Sequence, residues 1–205
     1  MLFRSAWDEG GATFLSVIWA NGWVYAAELV LDLQPDEAAF LAKDTAKPGG
    51  VICRSVFGYG SPLRYGMALG KNPSDIIGQK VSVGLTEAAF KAQIGKDGQG
   101  GPEWLDISGP EDDLRFSAIW FSLRNELRMD LTEAQVAAQC AAKTAAKRIP
   151  GRTCVYRRNG QQRFATVWAY QTWDMGVLSR AGVKEADVGR PPAPPARSEE
   201  HTSEL

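Results

Sequence analysis

Two stretches decide how this chain folds: RFSAIW at positions 115 to 120 and RFATVW at 163 to 168, 48 residues further on. In the first, a repeat of two residues sets Phe116, Ala118 and Trp120 on one strand face and Arg115, Ser117 and Ile119 on the other. Neither face is polar enough to stand in water, so both are expected to be at least partly buried. Working outward, four windows align without gaps: AWDEGGATFLSVIW (6–19), VFGYGSPLRYGMAL (56–69), ISGPEDDLRFSAIW (107–120) and VYRRNGQQRFATVW (155–168). They end at Trp19, Leu69, Trp120 and Trp168, at steps of 50, 51 and 48 residues. An apolar stretch, a polar or Gly-rich centre and a second apolar stretch make each window a hairpin.

A further strand is expected after each window. Asn21-Gly22 between two apolar runs is a strong short turn signal, and the corresponding places read SLRNELRM and AYQTWDMGVL. A helix follows. LTEAAF (85–90) and LTEAQV (131–136) each put Thr at an N-cap, with Leu before it and Phe90 or Val136 four positions beyond as a hydrophobic staple. Gln135 can close a capping box with Thr132. PDEAAF (35–40) is read as the first-unit version, with Asp36 as cap and Pro35 ahead of it. Lys47-Pro48-Gly49, the stretch from Gly98 to Pro102, and Pro150-Gly151 are read as the three helix stops.

The expected fold is α+β: tandem repeats of about 50 residues, each an antiparallel hairpin plus a further strand and one helix, ββαβ in some circular permutation. Repeats are expected at 6–48, 49–98 and 99–148, with an incomplete fourth at 149–186. There RAGVKEADVGRPPAPPA is too short and too Pro-rich for a helix, and 187–196 reads as an extended linker toward another domain. The ends are expected to be foreign. Leu2-Phe3-Arg4-Ser5 can be encoded CTC TTC CGA TCT, whose reverse complement reads Arg-Ser-Glu-Glu, the residues at 197–200. Segments 1–5 and 197–205 are therefore read as scars of one sequencing adapter, with the true N-terminus missing. His201, the single histidine, falls in the second scar. Setting aside Arg4, Arg197, Glu199, Glu200 and Glu204 leaves 21 basic and 21 acidic residues.

A neutral chain carries no electrostatic footprint for nucleic acid, and no apolar run reaches the roughly 20 residues of a membrane span. Cys53, Cys140 and Cys154 lack the spacing of a zinc site and are odd in number, which points to reduced, packed thiols.

The run DLRFSAIWFSLRNELRMDLTEAQVAAQC, followed by RTCVYRRNGQQRFATVW, resembles the bacterial tandem repeat domain family, whose units carry an aromatic-Ala-Ala-hydrophobic-Trp strand and then a Leu-Thr helix start. The resemblance extends over almost all of 6–178 and is weakest in the second unit, where Leu69 replaces Trp and Gly66 interrupts the strand. It implies a module without chemistry of its own, accompanying other domains such as β-lactamase-type serine hydrolases or bacterial serine/threonine kinases.

The residues themselves carry no catalytic constellation. Without a histidine outside the scar there is no Ser-His-Asp or Cys-His arrangement, and neither S-x-x-K nor G-x-S-x-G occurs. GMALGK (66–71) is one residue short of a phosphate loop and is read as a strand and its exit turn. Glu111, Asp112 and Asp113 do not have calcium-loop spacing and are read as a solvated hairpin tip. No cofactor, metal or catalytic residue is expected. Arg64, Arg115 and Arg163 recur at equivalent positions, where they are either donors for an anionic or peptide ligand or, as favoured, structural partners of neighbouring side chains. Trp120 and Trp168 are expected in the core with Trp19, while Trp23 and Trp173 are candidate contact residues. The expected role is non-catalytic binding or domain spacing within a larger bacterial protein, its partners a neighbouring domain and a protein or peptide ligand. The alternatives are the substrate-guiding part of a serine hydrolase and the sensor of a kinase.

Overall fold

A computed structural model describes residues 2–9, 12–18, 27–43, 45, 50–71, 78–94, 100–121 and 125–170. Trp19, Asn21-Gly22, Trp23, Lys47-Pro48-Gly49, Gly98, Trp173, the fourth-unit tail 171–186, the linker 187–196 and segment 197–205 lie outside the described residues.

Strands β1 (Leu2–Glu9) and β2 (Ala12–Ile18) form an antiparallel pair, so residues 2–5, read above as scar, are placed in a strand. Then follow β3 (Ala27–Leu33), α1 (Pro35–Lys43), β4 (Val51–Tyr59) and β5 (Arg64–Lys71). The same order recurs in β6 (Lys80–Leu85), α2 (Glu87–Ile94), β7 (Trp104–Ser108) and β8 (Arg115–Trp120), and again in β9 (Glu126–Leu131), α3 (Glu133–Ala145), β10 (Arg148–Arg158) and β11 (Gln161–Tyr170). The described chain is thus α+β, mostly antiparallel strands in three small three-stranded sheets with three helices. Each such sheet joins a hairpin to the strand that precedes its helix, in the orders β3-β5-β4, β6-β8-β7 and β9-β11-β10. The strand after one hairpin therefore completes the sheet of the next hairpin.

The registers correspond. Glu28 faces Leu69, Lys80 faces Trp120 and Glu126 faces Trp168; Leu33, Leu85 and Leu131 face Tyr65, Phe116 and Phe164. Between these pairs each leading strand is bulged, and the bulge holds a left-handed residue: Asp32 (φ 59°), Gly84 (φ 61°) or Asp130 (φ 59°). A tyrosine hydroxyl on the hairpin accepts the freed N–H in two of them, Tyr59 from Asp32 at 2.7 Å and Tyr156 from Asp130 at 3.0 Å. In the middle sheet Ser108 stands where those tyrosines do, and the Gly84 N–H goes instead to Ser117 Oγ at 3.1 Å.

Helix starts follow the bulges. Thr86 and Thr132 cap α2 and α3 through Ala89 N and Gln135 N, each at 3.3 Å, and Gln135 returns an acceptor to Thr132 N at 2.8 Å. In α1 the cap differs from the sequence reading. Pro35 is the first helical residue, Gln34 O accepts from Ala38 N at 2.9 Å, and Glu37 accepts the Gln34 N–H at 2.8 Å. Gln34, not Asp36, is the cap, because Pro35 is pre-set for the first helical turn and Glu37 then stands where it can reach back. The two-residue shift makes Ala38, rather than Phe40, the counterpart of Phe90 and Val136; Ala38 is fully buried, whereas Phe40 is 69% exposed. Helix α3 also stops earlier than read, at Ala145 with Lys147 left-handed (φ 54°), and Pro150 begins a bulge inside β10.

The core runs between sheets. Tyr65, Met67 and Leu69 of β5 pack with Ala38 and Ala42 of α1 and with Ile119 on the back of the next sheet. Phe116, Ala118 and Trp120 of β8 pack with Phe90 of α2 and with Cys154, Tyr156, Ala165 and Val167 of the sheet after. Phe90 stacks on Phe116 at 5.0 Å between ring centroids. Gly66, the apparent weak point, is a fit: a Cβ there would sit 2.3 Å from the Phe57 ring.

Candidate functional site

Strands β4, β7 and β10 are each the edge of their sheet. Unpaired edge groups need partners, and for β4 and β7 the following sheet supplies them. Trp104 Nε1 donates to Val56 O at 2.9 Å, and Arg152 Nε donates to Leu105 O at 3.2 Å. By register Trp104 and Arg152 occupy one position, facing Ile119 and Val167, and Val56 and Leu105 another. Two residues along, Gly58 N donates to Asp106 Oδ2 at 2.9 Å, and the Ile107 N–H points at the Cys154 sulfur. Arg152 also lies over the Trp104 ring, 4.1 Å from its centroid. Buried amides add a clip: Gln79 pairs with both the N–H and the C=O of Cys53 at 2.8 Å, and Asn125 Nδ2 donates to Pro102 O at 3.2 Å.

At the hairpin tips these edges leave a cleft of about 760 Å³, with Asp106, Ser108 and Arg152 among its polar lining and Tyr59, Leu63 and Val155 among its apolar lining. The Asp106 side chain is only 15% exposed, with Arg152 Nη2 4.0 Å away. Burial pushes its carboxyl up to about 6, although the Gly58 N–H, the Arg152 charge and the nearby Ser108 hydroxyl favour the ionised form. Ser108 Oγ is buried and closes no hydrogen bond of good geometry. Cys154, which donates to Leu105 O at 2.9 Å, is pushed up to about 12 by burial, and so is Cys53. Thiols that weakly acidic stay protonated at neutral pH and do not act as nucleophiles. Among the described residues no group of three or more His, Cys, Asp or Glu side chains could hold a metal ion. No described helix is long and apolar enough to cross a membrane.

Arg64, Arg115 and Arg163 take the same register position but do not converge. Arg64 pairs with Asp32 at 3.4 Å, Arg115 with Asp113 at 2.6 Å, and Arg163 donates to Gln161 Oε1 at 2.5 Å. Trp120 and Trp168 are buried as expected, while Trp23 and Trp173 lie outside the described residues. GMALGK lies in β5 and its end, and the acidic tip sends Glu111 to the Gly160 N–H at 2.7 Å. Sequence reasoning missed Trp104, Asp106, Arg152, Gln79 and Asn125. A signal was present: Trp-x-Asp and Arg-x-Cys recur at one register position, and an amide residue immediately precedes β6 and β9. No family model, no curated protein and no solved structure matches the chain. What the edge can do chemically is make hydrogen bonds and ion pairs with another strand.

Proposed function

We propose that the chain is a non-catalytic tandem-repeat module of the kind it resembles in sequence, serving in binding or domain spacing within a larger bacterial protein. Its unit is a leading strand, a helix and a hairpin of about 50 residues, a circular permutation of ββαβ. The single observation that supports this is the agreement of register, bulge and helix-cap position, one residue after Leu33, Leu85 and Leu131, across the sheets led by β3, β6 and β9. Unrelated elements have no reason to agree in all three. The low acidity of Cys53 and Cys154, together with a carboxylate committed to a backbone N–H, supports the absence of chemistry. Purified protein should hydrolyse neither p-nitrophenyl acetate nor a chromogenic β-lactam, and should not consume ATP. Turnover removed by Asp106→Asn or Cys154→Ala would overturn the reading. Sequencing the gene beyond position 196 separates the two host proteins considered above: S-x-x-K signals the hydrolase, and H-R-D with D-F-G the kinase.

A further inference from the structure

The edge interactions described above form a ladder, and among the described residues its last rung is open. In the β4 sheet, the Val56 C=O and the Gly58 N–H are taken by Trp104 and Asp106. In the β7 sheet, the Leu105 C=O is taken by Arg152, and the Ile107 N–H faces Cys154. By register the next positions are Thr153 and Val155 of β10, opposite Thr166 and Phe164. Counting from the two-residue Asn159-Gly160 turn, in which both residues are left-handed, turns the Thr153 C=O and the Val155 N–H away from β11. The side chains show the same opening. Leu105 and Ile107 are 0% and 8% exposed, whereas Val155 is 52% exposed and Thr153 is exposed too.

We propose that the open edge and face of β10 at Thr153 and Val155 are a docking surface for the edge strand of a partner protein. That strand carries Trp or Arg at one position and Asp or Cys two residues on. The first donates to the Thr153 carbonyl, the second faces the Val155 N–H, and the strand's apolar side covers Val155. The argument is continuity: the same contact is made twice inside the chain, each time by a donor-x-acceptor strand laid on the edge before it. A second folded copy does not fit, because its own Trp104-x-Asp106 and Arg152-x-Cys154 pairs are engaged on β4 and β7. The inference rests on the repeat reading above.

The test titrates the isotope-labelled full chain with a synthetic capped peptide of its own residues 102–109, which carries Trp104 and Asp106. Saturable shifts centred on the Thr153 and Val155 amides are expected. The affinity should fall at least about tenfold with a peptide altered by Asp106→Ala, and likewise with Val155→Asp in the full chain. Absent shifts, shifts centred on another edge, or a Val155 amide already protected from exchange in the free chain would overturn the proposal. Ile107→Asp separates the two failures. If that variant folds as well as the parent, the repeat reading fails whatever the peptide does. If it unfolds and the peptide still does not bind, only the docking surface fails.

Discussion

The β6-β8-β7 sheet and the β9-β11-β10 sheet share strand order and register and differ in what lies against them. The middle sheet has the back of the following sheet on its aromatic face, so Phe116 and Leu105 are fully buried. Phe164 and Thr153, their counterparts, retain exposure in the last sheet. The difference continues within the helix contact. Trp120 Nε1 donates to Ser82 Oγ at 3.3 Å, and Ser82 donates to Gln93 Oε1 at 3.0 Å, a short relay from strand to helix. In the last sheet Arg128 stands at the Ser82 position, and both ends of the relay, Trp168 Nε1 and Gln139 Oε1, are buried without a partner. Shared register therefore guarantees the framework, while each side chain's contribution depends on its neighbour.

The largest expected contrast is between Ile107→Asp and Val155→Asp. Burying an unpaired carboxylate at Ile107 should cost more than about 3 kcal/mol, whereas the exposed Val155 site should change stability by about 0.5 kcal/mol or less, measured by urea unfolding. Equal effects would break the comparison.

Gly84→Asp comes next. It places at the middle bulge the residue that both neighbouring bulges carry, so backbone conformation alone would tolerate it. Yet a Cβ there would lie 2.5 Å from Tyr65 Oη. A loss of about 2–3 kcal/mol is expected, as for other overpacked sites, with partial recovery when Tyr65→Phe removes the hydroxyl. No recovery would show that the bulge, not the tyrosine, demands glycine.

Asp106 sharpens the picture through pH. Its folded-state value of about 6 lies above the ordinary 3.8, so the native state holds the extra proton between those values and stability falls as pH rises through that window. Asp106→Asn removes this titration. The stability of the variant relative to the parent should therefore rise between about pH 4 and pH 7, by on the order of 2 kcal/mol. A flat difference across that range would mean that the carboxyl titrates normally.

The smallest effects concern the relay. Ser82→Ala strands the Trp120 indole and should cost about 1–2 kcal/mol, while Arg128→Ser supplies the missing hydroxyl between Trp168 and Gln139 and should gain about 1 kcal/mol. The exposed Arg128–Glu126 pair it removes, at 2.7 Å, contributes little. Thermal melts of the two variants shifting the same way would break the assigned equivalence.

Much of this was legible along the chain because it is local. Strand periodicity at 115–120 and 163–168, the Thr86 and Thr132 caps, and burial of Trp120 and Trp168 follow from residues within one turn or one hairpin of each other. The α1 cap lies two residues before the position that the EAAF shared by 37–40 and 87–90 implies, because the fixed φ of Pro35 suits the first helical position. The edge ladder was legible only as the Trp-x-Asp and Arg-x-Cys pairs at one register position: Trp104 meets Val56 across 48 positions, and nothing near either residue names the other as its partner.

The amino-acid order by itself determined the alternation of strands and helices, since propensity, capping and period act over a few residues. Only the tertiary structure decided that each leading strand joins the following hairpin, that Asp106 and Arg152 serve the neighbouring backbone, and that, among the described residues, the β10 edge is left open. Those outcomes depend on which surfaces meet once the sheets stack, and distance along the chain does not encode that.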